Sequence, residues 1–147
     1  MVINLAFRAA TLADIPAMSQ IRLSVKENTL SDPNRITPQM YADYLDRLGR
    51  GWVCEADGIV VGLAYAASGD ASIWALFVRP EFEGLGVASG LLKLAVDWLF
   101  GLGHAEIRLG TAAHTRADRF YAAQGWTRGE MTDGVNVAYR LRRSKAA

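Results

Sequence analysis

The sequence has few of the side chains that build disulfide frameworks and metal centres. Among its 147 residues there are one cysteine and two histidines. Cys54 has no partner within the chain for a disulfide, and with His104 and His114 it is too little for a zinc site built from Cys and His. The formal net charge is only +1, so there is no electrostatic footprint for nucleic acid or an anionic membrane.

Long apolar runs are missing as well. No run approaches the roughly 20 residues of a membrane-spanning helix, and the N-terminal residues lack the layout of a signal peptide. The sequence therefore predicts a cytoplasmic protein without a membrane partner. Its length and its ordinary composition, 51% hydrophobic and 21% charged, predict a single domain over residues 1–147.

The most informative stretch covers residues 73–103. An apolar run over 73–78, which Pro80 bounds, predicts a buried strand. A glycine-rich segment follows over 83–88, and apolar residues then recur at helical spacing over 87–102. The first N–H groups of a helix lack internal partners and carry partial positive charge, so such a turn can bind a phosphate. It can equally be a tight strand-to-helix connection, and spacing alone does not decide between the two.

The other patterns predict a sheet with helices against it. Before the central stretch we expect a strand over 2–7, a helix over 15–25, a loop over 26–36 and a second helix over 38–48. A hairpin of two strands, over 52–56 and 59–67, follows. After the central stretch we expect a strand over 106–109 and a short helix over 115–125. A second hairpin follows, with strands over 126–131 and 135–141. The strands over 52–56, 59–67 and 73–78 should be antiparallel neighbours, because their connections are too short for a parallel crossover. The strand over 106–109 follows a strand–helix unit and should lie parallel to 73–78.

Two segments carry a family resemblance. Residues 78–88, VRPEFEGLGVA, resemble the acetyl-CoA signature (Q/R)-x-x-G-x-(G/A) of the GNAT (GCN5-related N-acetyltransferase) superfamily. Residues 114–126, HTRADRFYAAQGW, resemble its second pattern, N-x-x-A-x-x-x-Y-x-x-x-G-(F/W). Glu83 stands where the family usually has Gln or Arg, and His114 where it often has Asn.

The resemblance covers essentially the whole chain and implies the fold class. This is an α/β (α+β) fold, with a mixed, mostly antiparallel central sheet of about seven strands flanked by four helices. Acetyl-CoA is the implied cosubstrate, and no metal is expected. The implied cofactor-binding residues are Leu76, Phe77, Val78, Glu83, Gly84, Leu85, Gly86, Val87, Ala88, Ser89 and His114. The Glu83 carboxylate is expected to turn away toward solvent.

The implied reaction is direct transfer of an acetyl group to an amine in a ternary complex. Tyr121 is the implied general acid, because a phenol can donate a hydrogen bond or a proton to the departing thiolate. As an aromatic residue on a helix face, it also fits a purely structural role. Cys54 lies on a predicted strand with no histidine nearby in sequence, so no covalent intermediate is expected.

The acceptor amine must lose a proton before or during its attack. Glu27, Glu55 and Asp70 are candidate bases, and we favour Glu27 because its loop should overhang the acceptor side. Asn28 and Trp74 are expected to shape the acceptor pocket, although Trp74 fits a core position equally well. The acceptor is a small-molecule or protein amine. A homodimer is favoured because such folds often pair.

Two alternative functions remain open at this point. A dinucleotide-binding oxidoreductase is suggested by Gly84-x-Gly86 and by Glu106, 20 residues after Gly86. Ser89, however, occupies the third glycine position of that motif. The other alternative is a non-catalytic acyl-CoA-binding sensor that keeps the glycine-rich turn and has lost the chemistry.

Overall fold

The computed structural model describes residues 3–24 and 48–143, with the side chains of 22–24 excluded. Seven strands form one sheet in the order β1-β2-β3-β4-β5-β7-β6. The strands are β1 (Leu5–Ala9), β2 (Gly49–Ala56), β3 (Ile59–Ala67), β4 (Ser72–Val78), β5 (Glu106–Ala112), β6 (Thr127–Met131) and β7 (Asn136–Arg142). The described helices are α1 (Ile15–Ser24), α2 (Val87–Gly101) and α3 (Arg116–Ala123).

The arrangement confirms the predicted fold class. All neighbouring strands are antiparallel except β4 and β5, which are parallel as predicted. The predicted loop over 26–36 lies outside the described residues, as does the predicted helix over 38–48 except for its last residue, Leu48.

Both hairpins form at the Asp-Gly pairs in the sequence. Asp57 and Gly58 have φ angles of 50° and 86°, the left-handed values that a two-residue turn between twisted strands requires. In the second hairpin the Asp133 carboxylate accepts hydrogen bonds from the backbone N–H groups of Val135 and Asn136, at 3.0 and 2.7 Å. Local turn chemistry thus sets the register of the β2–β3 and β6–β7 pairs.

The sheet is covered on both faces, and β3 shows how its side chains divide. Leu63 and Tyr65 pack in a cluster with Met18 and Ile21 of α1. Ala64 and Ala66, which alternate with them along the strand, belong to the larger cluster on the opposite face, which includes residues of α2. This alternation follows from the two-residue period of a strand, and it explains why β3 is almost continuously apolar.

Strands β4 and β5 are joined at one end only. Within the described residues their ladder consists of one register pair, Ser72 with Arg108. Beside it the Arg108 N–H donates to the Ala71 carbonyl oxygen at 2.9 Å. From there to its end at Val78, β4 has no ladder partner on the β5 side.

A bulge in β4 lies close to this junction. Tyr65 of β3 opposes Ala75, whereas the next residue, Ala66, opposes Ile73. Trp74 is therefore the extra residue on β4. A bulge bends its strand and increases the local twist, and beyond this one no described residue of β5 pairs with β4.

Helix α3 is attached to the sheet through Asp118. The Asp118 N–H donates to Oγ1 of Thr115, which caps the helix. The buried carboxylate of Asp118 accepts hydrogen bonds from the His114 N–H, the Arg128 guanidinium and the Tyr139 hydroxyl. The hydrogen bond from Arg128, followed by that from Tyr139, holds the pKa of Asp118 well below its usual range.

We predict that Asp118→Asn lowers the free energy of unfolding by about 2 kcal/mol at neutral pH, because hydrogen bonds to a charged group are lost. A lowered folded-state pKa means that the stabilisation is complete above the ordinary pKa of 3.8 and is lost as the pH falls below it. The difference in the free energy of unfolding between variant and wild type should therefore be smaller at about pH 3 than at neutral pH. Urea denaturation at about pH 7 and pH 3 measures both effects.

Asp97→Asn is the matched control. Asp97 pairs with Lys93 on the exposed side of α2, where an ion pair contributes less than about 1 kcal/mol. Equal stability of the two variants at neutral pH would contradict the anchoring role of Asp118.

Candidate active site

One cavity of about 310 Å³ lies where the end of β4, the start of α2 and one face of α3 come together. It contains most of the residues that the sequence predicts to bind cofactor, together with Tyr121. Its lining residues are Leu76, Phe77, Val78, Phe82, Glu83, Gly84, Gly86, Val87, Ala88, Ser89, Arg116, Ala117, Phe120, Tyr121 and Gln124.

The glycine-rich turn leaves the start of α2 open. Gly84 and Gly86 have φ angles of +79° and +89°, values that glycine adopts without strain. Gly86 is the residue before the first helical turn, and no side chain of the described residues caps the helix there. The first N–H groups of α2, with the positive end of the helix dipole, are therefore available to an anion.

The connection from β4 to α2 differs from a dinucleotide-binding motif. Residues 79–86 separate the strand from the helix and include a 3-10 turn over Pro80–Phe82. In a dinucleotide-binding fold the glycine turn follows the strand directly. The connection therefore does not support the oxidoreductase alternative.

The free edge of β4 forms a second wall. Leu76, Phe77 and Val78 line the cavity, and their backbones pair with β3 along one edge of the strand. On the opposite edge there is no ladder partner from β5. An extended ligand can hydrogen-bond to that edge in the manner of an added strand.

Tyr121 lies in the cavity and in the core at once. Its ring packs against Phe120, Trp126 and Tyr139, with centroids 5.4, 5.8 and 5.7 Å away. The residue is 6% exposed, and within the described part of the chain its hydroxyl has no hydrogen-bond partner. Burial raises the pKa of the phenol above its ordinary value. Buried polar groups are normally satisfied, which makes this hydroxyl at the cavity wall a candidate for a ligand contact.

Glu83 is exposed, and its carboxylate also forms an ion pair at the cavity wall. Its Oε2 lies 3.2 Å from NH1 of Arg116, the first residue of α3, and the Glu83 side chain is 34% exposed. Both residues line the cavity. The sequence analysis missed Arg116, Phe82 and Gln124, because only the fold brings these positions to one surface.

Two predicted cofactor-binding residues lie beside the cavity without lining it. Leu85 is 46% exposed. His114 has an exposed side chain and a left-handed backbone, with φ of 64°. Its N–H donates to Asp118 at 2.8 Å, so its backbone belongs to the attachment of α3.

The predicted acceptor-side residues divide into three groups. Glu27 and Asn28 lie outside the described residues. Trp74 is 38% exposed and shares a separate surface depression with Asp70, so it is not a core residue. Glu55 is paired with Arg8 on the β1–β2 pair, at 2.9 Å.

The described residues offer little support for a metal site or a cysteine nucleophile. Residues 3–24 and 48–143 contain no group of three or more His, Cys, Asp and Glu side chains placed to hold a metal ion. Cys54 is fully buried on the α2 side of the sheet, and burial raises the pKa of its thiol. None of the described helices is long and apolar enough to cross a membrane.

Solved structures with the same fold are numerous, and three of them illustrate the likeness. PaiA N-acetyltransferase from Thermoplasma acidophilum, in complex with coenzyme A, has a TM-score of 0.83 and 16% identity, covering 95% of this chain and 99% of its own. The ribosomal-protein-S18-alanine N-acetyltransferase from Escherichia coli has a TM-score of 0.77 and 17% identity, covering 98% and 97%. YncA from Salmonella typhimurium, with its cofactor acetyl-CoA, has a TM-score of 0.73 and 18% identity, covering 97% and 96%.

These likenesses establish the fold, and the family follows from the sequence itself. A comparison with curated proteins finds no match. The family model for the Acetyltransferase (GNAT) family matches residues 15–126, which is most of the chain and includes the whole cavity. The chain therefore belongs to the GNAT family of acetyltransferases.

Proposed function

We propose that the protein transfers an acetyl group from acetyl-CoA to a primary amine by direct transfer in a ternary complex, with Tyr121 as general acid. One observation carries this proposal. Among the described residues, one cavity combines the uncapped start of α2, an edge of β4 that β5 does not pair with, and a buried phenol that has no hydrogen-bond partner there. Membership of the GNAT family supports acetyl transfer as the chemistry.

Two parts of coenzyme A each have a wall of the cavity that suits them. The diphosphate suits the first N–H groups of α2 at Gly86, Val87 and Ala88, because an anion is stabilised at a helix N-terminus. The amides of the pantetheine arm suit the free edge of β4 at Leu76 and Val78. The folds of PaiA and YncA, solved with coenzyme A and with acetyl-CoA, support this choice of cosubstrate.

The reaction then needs three contributions from the chain. The amine nitrogen attacks the thioester carbonyl carbon, and a backbone N–H of β4 stabilises the oxyanion that forms. The C–S bond breaks, and the sulfur leaves as a thiolate that the Tyr121 hydroxyl stabilises by donating a hydrogen bond. The proton that the amine loses passes to a base. Cys54 takes no part, since a buried thiol with a raised pKa is a poor nucleophile.

The raised pKa of Tyr121 determines how the phenol assists. A free thiol ionises near pH 8.5, well below the phenol in its buried site. Complete transfer of the proton to sulfur would leave a buried phenolate, which burial disfavours. The phenol therefore acts chiefly as a hydrogen-bond donor to the thiolate, and the proton released by the amine restores neutrality.

Trp74 and Asp70 share an exposed depression near the β4 bulge, which suits a role for Trp74 in the acceptor pocket. Asn28 in the same pocket and Glu27 as the base stay predictions. The acceptor is a small-molecule amine or a protein amine, the latter as in the relative named for ribosomal protein S18. A single domain, a cytoplasmic location and a homodimer also stay predictions.

We predict that Tyr121→Phe lowers kcat about 100-fold, the lower end of the range for general acids, with little change in the Kd for acetyl-CoA. The variant keeps the ring and its three aromatic contacts, so its melting temperature should not fall. Steady-state kinetics and calorimetric titration measure the two parameters. Unchanged turnover would remove Tyr121 from the mechanism.

We also predict a pH profile without a descending limb below about pH 10. A general acid is active when protonated, and a phenol whose pKa lies above the ordinary 10.0 stays protonated throughout that range. The rate should instead rise with pH, because a lysine-like amine with a pKa of about 10.4 loses its proton. Initial rates between about pH 6 and 10 test this. A decline below about pH 9 that is absent in Tyr121→Phe would contradict the assigned pKa.

The proposed function is tested by thiol release from acetyl-CoA with a panel of amines. The panel includes polyamines, amino acids, arylalkylamines and peptides with a free N-terminus or lysine. We expect at least one amine to release thiol faster than the amine-free control. Binding of acetyl-CoA without turnover over the whole panel would favour the sensor alternative, which keeps the turn and lacks the chemistry.

A further inference from the structure

We infer that Glu83 and Arg116 form a charge-compensated pair that sets the affinity of the cavity for the diphosphate of coenzyme A. The inference rests on the proposed function, which places that diphosphate at the start of α2. It assigns a binding role to two side chains at a turn where the backbone supplies the other contacts.

The position of the pair connects it to the ligand. Glu83 directly precedes Gly84, and both residues line the cavity together with Gly86 and Arg116. A carboxylate at this point repels an anion bound to the first N–H groups of α2. The Arg116 guanidinium, 3.2 Å from that carboxylate, cancels its charge where the ligand would bind.

Solvent limits the strength of the pair. Because the Arg116 side chain is 57% exposed, solvent screening reduces the effect of each charge and makes it sensitive to salt.

The summed charge of the side chains at positions 83 and 116 predicts the order of the affinities for coenzyme A. The side chains at these two positions sum to zero in the wild type, to −1 in Arg116→Gln, to +1 in Glu83→Gln and to zero in the double variant. The affinity for coenzyme A should therefore be highest in Glu83→Gln and lowest in Arg116→Gln. The double variant should resemble the wild type, which a purely structural role for Arg116 does not predict.

The experiment measures Kd by calorimetry for coenzyme A and for pantetheine, which lacks the diphosphate, at low ionic strength. We expect Arg116→Gln to weaken coenzyme A binding about tenfold, Glu83→Gln to tighten it about threefold, and the double variant to lie within about threefold of the wild type. Pantetheine affinity should be the same in all of them. The differences should shrink in about 0.5 M salt.

Arg119→Gln is the matched control. Arg119 is exposed on the same helix, three positions further on, and does not line the cavity. Its substitution removes one positive charge and should leave both affinities at the wild-type level.

Several outcomes would overturn the inference. Coenzyme A affinity in Arg116→Gln within twofold of the wild type would do so, as would a double variant no tighter than Arg116→Gln. Equal weakening of pantetheine binding would show that Arg116 only maintains the cavity. Weaker binding in Glu83→Gln would contradict the inference independently of any Arg116 variant. A wild-type protein that binds no coenzyme A would instead refute the proposed function itself.

Discussion

The site depends on the single ladder pair that joins β4 to β5. The crossover through α2 makes these strands parallel, and Ser72 with Arg108 fixes them at one end. Further along, beyond the bulge at Trp74, no described residue of β5 pairs with the outer backbone edge of β4. Backbone N–H and C=O groups need partners, so this edge is a candidate position for an extended ligand. The sheet is thus incomplete at the place where the end of β4 and the start of α2 face the same cavity.

Helix α3 has to hold Tyr121 against that cavity, and it is too short to do so by its own stability. Eight residues are fewer than an isolated helix needs in water. Thr115 caps its start, the Asp118 carboxylate ties it to Arg128 and Tyr139, and an aromatic cluster surrounds the Tyr121 ring. These contacts fix the phenol before any ligand arrives, and the proposed role of Tyr121 requires such fixed geometry.

Local patterns in the sequence predict nearly all described elements and the residues that bring them together. The Asp57-Gly58 turn, the apolar run of β4 and the glycines before α2 each act through neighbouring residues, so they can be read from the chain alone. The bulge at Trp74 cannot, because β4 is apolar on both faces and an extra residue leaves no break in its pattern. The Glu83–Arg116 pair cannot either, since it joins two distant segments. Glu83 considered alone suggested a solvent-facing carboxylate.

The contrast between backbone and side-chain charge explains how a nearly neutral protein can bind a multiply charged anion. The net charge is +1, so the protein as a whole exerts little long-range attraction. Within the cavity the Glu83 carboxylate is balanced by Arg116, which leaves the helix dipole and the first N–H groups of α2 as the uncompensated positive potential. Such a potential acts only within about one helical turn. It therefore favours an anion whose remaining part can also bind along the edge of β4. Under the proposed function, selectivity for coenzyme A over other anions would then come from the angle and distance between that helix start and the edge of β4, which the β4–β5 junction sets.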